Sequence, residues 1–167
     1  LLSVTFFISF CKMTIDSTVP THILSSQVKL ALDEDIGQQD LTADLIPEDS
    51  LATATIITRE KAIICGQDWL NEVFKQLNPT ITVKWMVSDG DAVKADEVLC
   101  QSEGPARTLL TGERTAMNFI QTLSATATHA KRYADAVKGL AVQILDTRKT
   151  IPGFRLAQKY AVRCGQC

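Results

Sequence analysis

The pattern of apolar and polar residues predicts two helices in the first half of the chain. Apolar residues recur at helical spacing over residues 22–36, and Gly37 follows as a C-terminal cap. A second amphipathic pattern covers residues 69–77 and ends at the turn pair Asn78-Pro79. We therefore expect one helix over each of these two stretches.

Four further segments have the alternation or the β-branched composition of strands. They cover residues 51–58, 62–66, 81–87 and 97–103. Since the first two flank the polar turn at residues 59–61, we expect them to pair as a hairpin. Residues 22–105 are therefore predicted to form an α+β domain of two helices against antiparallel strands.

After Pro105 the chain changes to helical character. The stretch 105–139 carries apolar residues along one stripe, and Gly112 is a candidate break within it. Residues 141–146, AVQILD, have the composition of a short, fully buried strand of a parallel sheet. A charged loop at 147–153 and another helix follow. This order predicts the start of a β/α repeat.

The composition is that of an ordinary globular protein, with 167 residues, 46% hydrophobic and 22% charged. This length corresponds to roughly one domain, or two small ones. The formal charge of −2 provides no strong positive field for nucleic acid. No continuous apolar run approaches the roughly 20 residues that a membrane span requires. We therefore expect neither nucleic acid nor a membrane among the partners.

The small net charge hides an asymmetry between the two parts of the chain. Residues 1–106 hold 7 Lys and Arg against 16 Asp and Glu, whereas residues 107–167 hold 10 against 3. A basic end of this kind is typical of an anion-binding region. The alternative is a set of helices whose basic faces are simply solvated.

The chain has five cysteines, an odd and scattered set. This usage indicates reduced thiols in a cytosolic protein and not a disulfide scaffold. Cys164-Gly-Gln-Cys167 has the spacing of a redox or metal motif. One such pair supplies only two of the four ligands of a structural zinc site, so we expect neither function.

The first residues form a segment of their own. Residues 1–12 are apolar, but they lack the positively charged start and the small-residue cleavage site of a signal peptide. Met13 begins a polar stretch that is typical of a cytosolic start. We expect residues 1–21 to be a disordered or non-native leader, with translation starting at Met13.

A polar cluster follows the predicted strand 141–146. Ligands of parallel α/β folds bind beyond the carboxyl ends of the strands, which is where Thr147, Arg148 and Lys149 stand. Arg binds carboxylate or phosphate through its bidentate fork, and Lys binds them as a point charge. The cluster is therefore a candidate anion site, and a solvated turn is the alternative.

Other basic residues recur at helical spacing. Arg155, Lys159 and Arg163 either extend the cationic pocket or form a solvated helix face, and Arg107 and Arg114 share one face if their helix is unbroken. The sequence has two histidines, no glycine-rich phosphate loop and no Ser-His-Asp order. Nucleophilic hydrolysis is not supported, and we assign no catalytic residue and no metal ligand.

Several segments, in this order, resemble the quinolinate phosphoribosyltransferase family, the decarboxylating nicotinate-nucleotide pyrophosphorylases. The segments are DIGQQDLTADLIPE, ATIITRE, SDGDAV, LLTGERTAMN, LDTRKTIPG and KYAVRCG. The resemblance covers about residues 22–165. It implies an α+β N-terminal sandwich domain, here residues 22–112. The first part of an incomplete, TIM-like α/β barrel domain follows, here residues 113–167.

The resemblance also implies a pentosyltransferase of NAD biosynthesis in the cytoplasm. Such enzymes join quinolinate to phosphoribosyl pyrophosphate with Mg²⁺ and release nicotinate mononucleotide, pyrophosphate and CO₂. They work as homodimers whose active sites are built from two subunits. Matching the motifs implies that Arg114 reaches across the dimer to one quinolinate carboxylate and that Arg148 binds the other end of quinolinate. Lys149 would bind the phosphoribosyl phosphates, with Thr147 in the same contact.

Family sequences continue beyond the cysteine that matches Cys164 with residues that complete the barrel and include the acidic metal ligands. We expect the Mg²⁺ ligands there, and we expect the 167-residue chain alone to be an inactive fragment that binds anions weakly. Two alternatives remain open. One is a non-catalytic dimerisation or anion-binding module, and the other is a related phosphoribosyltransferase that uses nicotinate.

Overall fold

The computed structural model describes residues 19–37 and 43–167. The helices are α1 (Thr21–Ile36), α2 (Gln67–Leu77), α3 (Ala106–Ala136) and α4 (Arg155–Cys164). The strands are β1 (Leu51–Ile57), β2 (Ala62–Ile63), β3 (Thr82–Trp85), β4 (Ala92–Val93) and β5 (Val98–Pro105), and a 3₁₀ turn covers Ala43–Leu45. Residues 1–18 of the expected leader lie outside the described part, whereas Val19 packs against the core.

A three-stranded antiparallel sheet is the main β-structure of the described residues. Its strand order is β1-β5-β3, and β2 pairs with β4 in a separate two-stranded ribbon. β5 occupies the centre because its eight residues offer backbone partners along both edges. Both faces of β5 are partly covered, since Cys100 packs in the main core and the adjacent Leu99 packs with Ile64 and Val93 in a smaller apolar cluster. The predicted strands 81–87 and 97–103 are confirmed in position.

The predicted hairpin between residues 51–58 and 62–66 is wrong. β1 pairs over its whole length with β5, and β2 pairs with β4. The physical reason is the number of backbone partners, since β5 serves all seven residues of β1 while β2 has only two residues in its ladder. Alternation along a sequence indicates which face of a strand is buried, but it does not indicate the neighbouring strand.

The central helix is α3, which packs against α2, α4 and the sheet. It runs through Gly112 without interruption, so the candidate break at this residue is wrong. A Cβ atom at Gly112 would lie 2.8 Å from the ring of Phe74 on α2, and the glycine therefore allows these two helices to approach closely. Although α3 has 31 residues, none of the described helices is both long and apolar enough to cross a membrane.

The main core lies where α1, α2 and α3 meet. Its fully buried side chains include Val28 of α1, Trp69 and Leu70 of α2, and Leu123 of α3. The helices expected at 22–36 and 69–77 are confirmed, and their apolar faces are the buried ones. The small residues Ala157 and Ala161 bring α4 against the same core.

The predicted buried strand at residues 141–146 is wrong. The segment forms no strand, and its exposed fractions include 59% for Val142 and 71% for Leu145. A strand of the fully buried kind needs hydrogen-bonded neighbours on both edges and cover on both faces. Among the described residues no strand pairs with this segment, so its backbone is irregular and its apolar side chains face solvent.

Candidate functional site

The candidate anion-binding residues lie on the loop of residues 146–153, which we call the cationic loop. Within it, the backbone N–H of Lys149 donates to Oγ1 of Thr147 at 2.9 Å. α4 holds both ends of the loop. Nζ of Lys159 donates to Oδ1 of Asp146 at 2.6 Å, and the N–H of Ile151 donates to Oε1 of Gln158 at 2.8 Å. The loop therefore has a fixed path while Arg148 at its centre stays exposed.

A second set of contacts ties the cationic loop to the N-terminal helices. Nε2 of Gln27 donates to the carbonyl oxygen of Gly153 at 2.8 Å, and Nε1 of Trp69 donates to Oε1 of Gln27 at 2.9 Å. The next residue, Phe154, stacks against Phe119 with ring centroids 5.9 Å apart. The path of the loop thus depends on residues from α1, α2 and α3.

A cavity of about 670 Å³ lies between α3, the cationic loop and α4, and we call it the loop cavity. Its polar lining includes Thr147, Lys149 and the Asp146–Lys159 ion pair, and its apolar lining includes Leu145. Lys159 is partly neutralised by Asp146, whereas no carboxylate of the described residues forms an ion pair with Lys149. The cavity is large enough for a small organic anion and carries a net positive lining.

Arg114 lines a different cavity, of about 450 Å³, which we call the Arg114 cavity. Its guanidinium Nη1 lies 3.2 Å from Oδ1 of Asp35, and the Arg114 side chain is 71% exposed. Ile151 and Phe154 also line this cavity, so the cationic loop and its C-terminal neighbour separate it from the loop cavity. Within one copy, the structure does not bring Arg114 and Lys149 into a common cavity.

The other basic residues have separate positions. Arg107 and Arg114 share one face of the unbroken helix α3, as expected. Arg107 does not line the Arg114 cavity, however, and its Nε donates to the carbonyl oxygen of Ile46 at 2.5 Å. Of the three basic residues of α4, only Lys159 lines the loop cavity. The guanidinium of Arg163 lies 6.0 Å from the ring centroid of Tyr160. The predicted row of cations along α4 therefore contributes one residue to the cavity.

A half-buried polar junction links the start of α2 to α4, and the sequence does not predict it. Oδ1 of Asp89 accepts the backbone N–H of Gly66 at 3.0 Å, and Oδ2 accepts the hydroxyl of Tyr160 at 2.9 Å. Burial raises the pKa of Asp89, and these two hydrogen bonds oppose that shift. Burial and the adjacent Asp89 carboxyl raise the pKa of Tyr160. The junction fixes the angle at which α4 leaves the cationic loop.

The cysteines of the C-terminal motif face different partners. Cys164 is buried and forms a hydrogen bond with Cys65, which together with desolvation raises the pKa of Cys65. The thiol of Cys167 donates to the carbonyl oxygen of Ala130 at 3.1 Å. Within the described part of the chain, no group of three or more His, Cys, Asp or Glu side chains is arranged to hold a metal ion.

Comparison with protein families assigns the chain to a family. The model of the quinolinate phosphoribosyl transferase N-terminal domain matches residues 40–124, and the model of the C-terminal domain of the same family matches residues 126–167. The chain belongs to the quinolinate phosphoribosyltransferase family. The family resemblance seen in the sequence motifs is thereby confirmed.

Individual relatives agree with this assignment. A chloroplastic nicotinate-nucleotide pyrophosphorylase (carboxylating) of Oryza sativa is 39% identical over 148 residues, which are 87% of this chain and 39% of the relative. A probable nicotinate-nucleotide pyrophosphorylase (carboxylating) of Bacillus subtilis is 38% identical over 132 residues, which are 79% of this chain and 46% of the relative. The chain thus spans less than half the length of these curated relatives.

The solved structures confirm the fold class. The nicotinate-nucleotide pyrophosphorylase of Francisella tularensis superposes with a TM-score of 0.86 at 48% sequence identity, over 89% of this chain and 53% of that one. The expected class was an α+β N-terminal domain followed by the first part of an incomplete α/β barrel. This part of the family fold includes α3, α4 and the cationic loop.

Proposed function

We propose that the chain provides part of the substrate site of a quinolinate phosphoribosyltransferase of NAD biosynthesis. The reaction joins quinolinate to phosphoribosyl pyrophosphate and releases nicotinate mononucleotide, pyrophosphate and CO₂. The observation that carries the proposal is the cationic loop of a chain of this family. Thr147 and Lys149 line a cavity of about 670 Å³, and the exposed Arg148 between them in the sequence is not one of the lining residues. The chain spans less than half the length of these curated relatives, so the proposed role is to supply part of the substrate site.

The roles of the loop residues follow from their chemistry. Quinolinate carries two carboxylates, and the planar fork of Arg148 suits one of them. Lys149 suits the phosphate groups of the phosphoribosyl donor as a point charge. The Thr147 oxygen already accepts the N–H of Lys149, so its O–H is left to donate to a phosphate or carboxylate oxygen.

We further propose that Arg114 binds the second carboxylate of quinolinate in a homodimer. The separation of the Arg114 cavity from the loop cavity supports this proposal, since one copy does not present Arg114 to a ligand beside Lys149. Arg114 of the partner subunit would complete the site. Sedimentation of the purified chain tests the dimer, and a monomer at all concentrations would contradict it.

The proposed reaction requires cations held in fixed positions and does not require a nucleophilic side chain. Cations near the departing pyrophosphate stabilise the negative charge that grows as the ribosyl carbon loses its leaving group. The positive charge on the pyridinium nitrogen formed by ribosylation then stabilises the electron pair that stays on the adjacent ring carbon as CO₂ leaves, and that carbon takes up a proton. Among the described residues no group of three or more His, Cys, Asp or Glu side chains is arranged for a metal ion, and we assign Mg²⁺ no ligand among them.

Titration calorimetry of the purified chain with quinolinate tests the proposal. We expect weak binding that Arg148→Ala reduces about tenfold, because a charge-assisted bidentate contact is lost. Lys84→Ala, which removes an exposed lysine from β3, is the matched control and should bind as the wild type does. Equal loss in both variants would reject the cationic loop as the site.

A second measurement separates binding from turnover. With quinolinate, phosphoribosyl pyrophosphate and Mg²⁺, we expect the 167-residue chain alone to form no nicotinate mononucleotide. Product formation above the background of an Arg148→Ala variant would overturn the expected inactivity. Tighter binding of nicotinate than of quinolinate would favour the nicotinate-using alternative.

We also propose a cytoplasmic location without nucleic acid or membrane partners. The four cysteines of the described part are free, which suits a reducing compartment. Fractionation of cells that express the chain, followed by immunodetection, tests the location. Recovery in the membrane or organelle fraction would contradict the proposal.

A further inference from the structure

The environment of Arg114 includes a carboxylate whose role the reaction chemistry does not explain. Asp35, in the last turn of α1, is only 18% exposed in its side chain although Arg114 is 71% exposed. Oδ1 of Asp35 lies 3.2 Å from Nη1 of Arg114, and Oδ2 accepts the hydroxyl of Thr115 at 3.2 Å. Thr115 is itself buried. Both oxygens of this carboxylate are therefore committed to neighbouring residues of α3.

This ion pair differs from the ordinary surface pairs of the molecule. In the Lys29–Asp33 pair of the same helix, both side chains are largely exposed, at 70% and 60%. In the Asp35–Arg114 pair the acid is fixed and the base projects outward. Such a pair gives a long, flexible side chain a defined direction before any ligand arrives. Pre-ordering of this kind lowers the entropy lost when the ligand binds.

The contact also leaves most of the guanidinium available. Asp35 engages Nη1, whereas a guanidinium has five N–H donors arranged as a planar fork. The remaining donors can face a carboxylate that approaches from outside the chain. The residues that line the Arg114 cavity include two carboxylates, Glu34 and Asp35, and one cation, Arg114, so recognition of a carboxylate there depends on the direction of this guanidinium.

We propose that Asp35 is a positioning residue that aims Arg114 at the second carboxylate of a pyridine dicarboxylate. This inference rests on the proposed function, in which Arg148 binds the first carboxylate. Asp35 then contributes to specificity: a dicarboxylate such as quinolinate uses both arginines, and a monocarboxylate such as nicotinate uses Arg148 alone. Removing the charge of Asp35 weakens the binding of quinolinate and leaves the binding of nicotinate unchanged.

The test is a set of affinities for quinolinate and nicotinate measured by calorimetry on the whole chain. We expect Asp35→Asn to weaken quinolinate binding about tenfold, the scale of one charge-assisted hydrogen bond, with nicotinate binding unchanged. Asp33→Asn makes the same chemical change in the same helix and should alter neither affinity. Asp35→Glu, which keeps the charge, should restore part of the preference.

A double-variant comparison separates positioning from a structural role. If Asp35 acts through Arg114, then Asp35→Asn has no further effect on quinolinate binding in an Arg114→Ala chain. Equal weakening of both ligands, or the same weakening with and without Arg114, would overturn the inference. If Asp35→Asn does not fold, Thr115→Val releases one carboxylate oxygen and should weaken quinolinate binding in the same direction by a smaller factor.

Chemical labelling makes the result independent of substrate binding. Phenylglyoxal bonds to both terminal nitrogens of a guanidinium, and Asp35 covers one of them in Arg114. Peptide mass mapping should show several-fold faster labelling of Arg114 in Asp35→Asn than in the wild type or Asp33→Asn. Unchanged labelling would overturn the positioning role. Absence of quinolinate binding by the wild type, with the labelling difference present, would reject the proposed function and retain the ion-pair constraint on Arg114.

Discussion

Two apolar segments of this chain have opposite environments. The apolar face of α2, with Trp69, Leu70 and Val73, is almost completely buried between α1 and α3. Residues 140–145 are at least as apolar, yet Leu140 and Leu145 are 64% and 71% exposed. The composition of the two segments does not account for this difference. The first has elements that cover its apolar side chains, and for the second no described element does so, although α3 and α4 line cavities beside it.

An apolar pattern by itself does not predict whether a segment is buried. Burial of an apolar side chain stabilises a fold by about 1.5–3 kcal/mol only if other elements remove it from water. α2 gains this stabilisation from two helices that are themselves predicted by their periodicity. Residues 140–145 line the edges of cavities and pack on one side at most. Their apolar side chains would be stabilised by burial, but no described element covers them.

The sharpest test of the comparison uses two leucines. Leu123 is completely buried in the core, and Leu145 is 71% exposed. Leu123→Ala should lower the free energy of unfolding by about 2–5 kcal/mol, because it leaves a cavity, whereas Leu145→Ala should change it by less than about 0.5 kcal/mol. Urea titrations followed by circular dichroism measure both values. A comparable loss at Leu145 would show that the segment is packed after all.

A smaller effect is expected from the half-buried polar junction between the start of α2 and α4. Because the pKa of Asp89 is raised in the folded state, that state holds a proton that the unfolded chain has already released. Stability should therefore fall as pH rises from the unfolded to the folded pKa of this group. One titrating group changes the slope of the unfolding free energy against pH by at most about 1.4 kcal/mol per pH unit.

Asp89→Asn removes this titration and should flatten the pH dependence in the acidic range. The free energy of unfolding, measured in urea between pH 4 and 7, gives the slope for each protein. Asp33→Asn serves as the control, since Asp33 lies in an exposed ion pair. Identical slopes in the wild type and Asp89→Asn would show that Asp89 has the same proton affinity in both states.

The smallest effect concerns the ion pair that holds the cationic loop. Lys159 and Asp146 are about one-third exposed, and Lys159→Met should cost about 0.5–1 kcal/mol. Lys29→Met breaks the far more exposed pair with Asp33 and should cost less than about 0.5 kcal/mol. Thermal unfolding at low and high salt measures both. An equal cost for the two variants would mean that the partial burial of the loop pair adds nothing.

The sequence located most of the fold by periodicity. The helices at 22–36 and 69–77 were predicted because their apolar residues recur every three or four positions, and the structure confirms both. The pairing of β1 with β5 is not predicted, since β2, α2, β3 and β4 lie between the two strands in the sequence. Long-range pairing is a property of the assembled sheet and leaves no mark within either strand.

The candidate site divides in the same way. Thr147, Arg148 and Lys149 were singled out by charge and position, and their roles as ligand contacts stay predictions. Asp35 and Asp89 were missed, because their partners Thr115 and Tyr160 lie 80 and 71 residues further along the chain. A carboxylate near the end of a helix or in a turn has no local signal that distinguishes it from a solvated one.

The sequence by itself determined the family, the helical segments and the cationic residues, because motif spacing and hydrophobic period are local properties of the chain. Only the tertiary structure decided which strands pair, that residues 141–146 stay irregular, and that Arg114 and Lys149 open on separate cavities. These outcomes depend on which distant segments supply hydrogen-bond partners and apolar cover. That supply is a property of the packed molecule and of no single stretch within it.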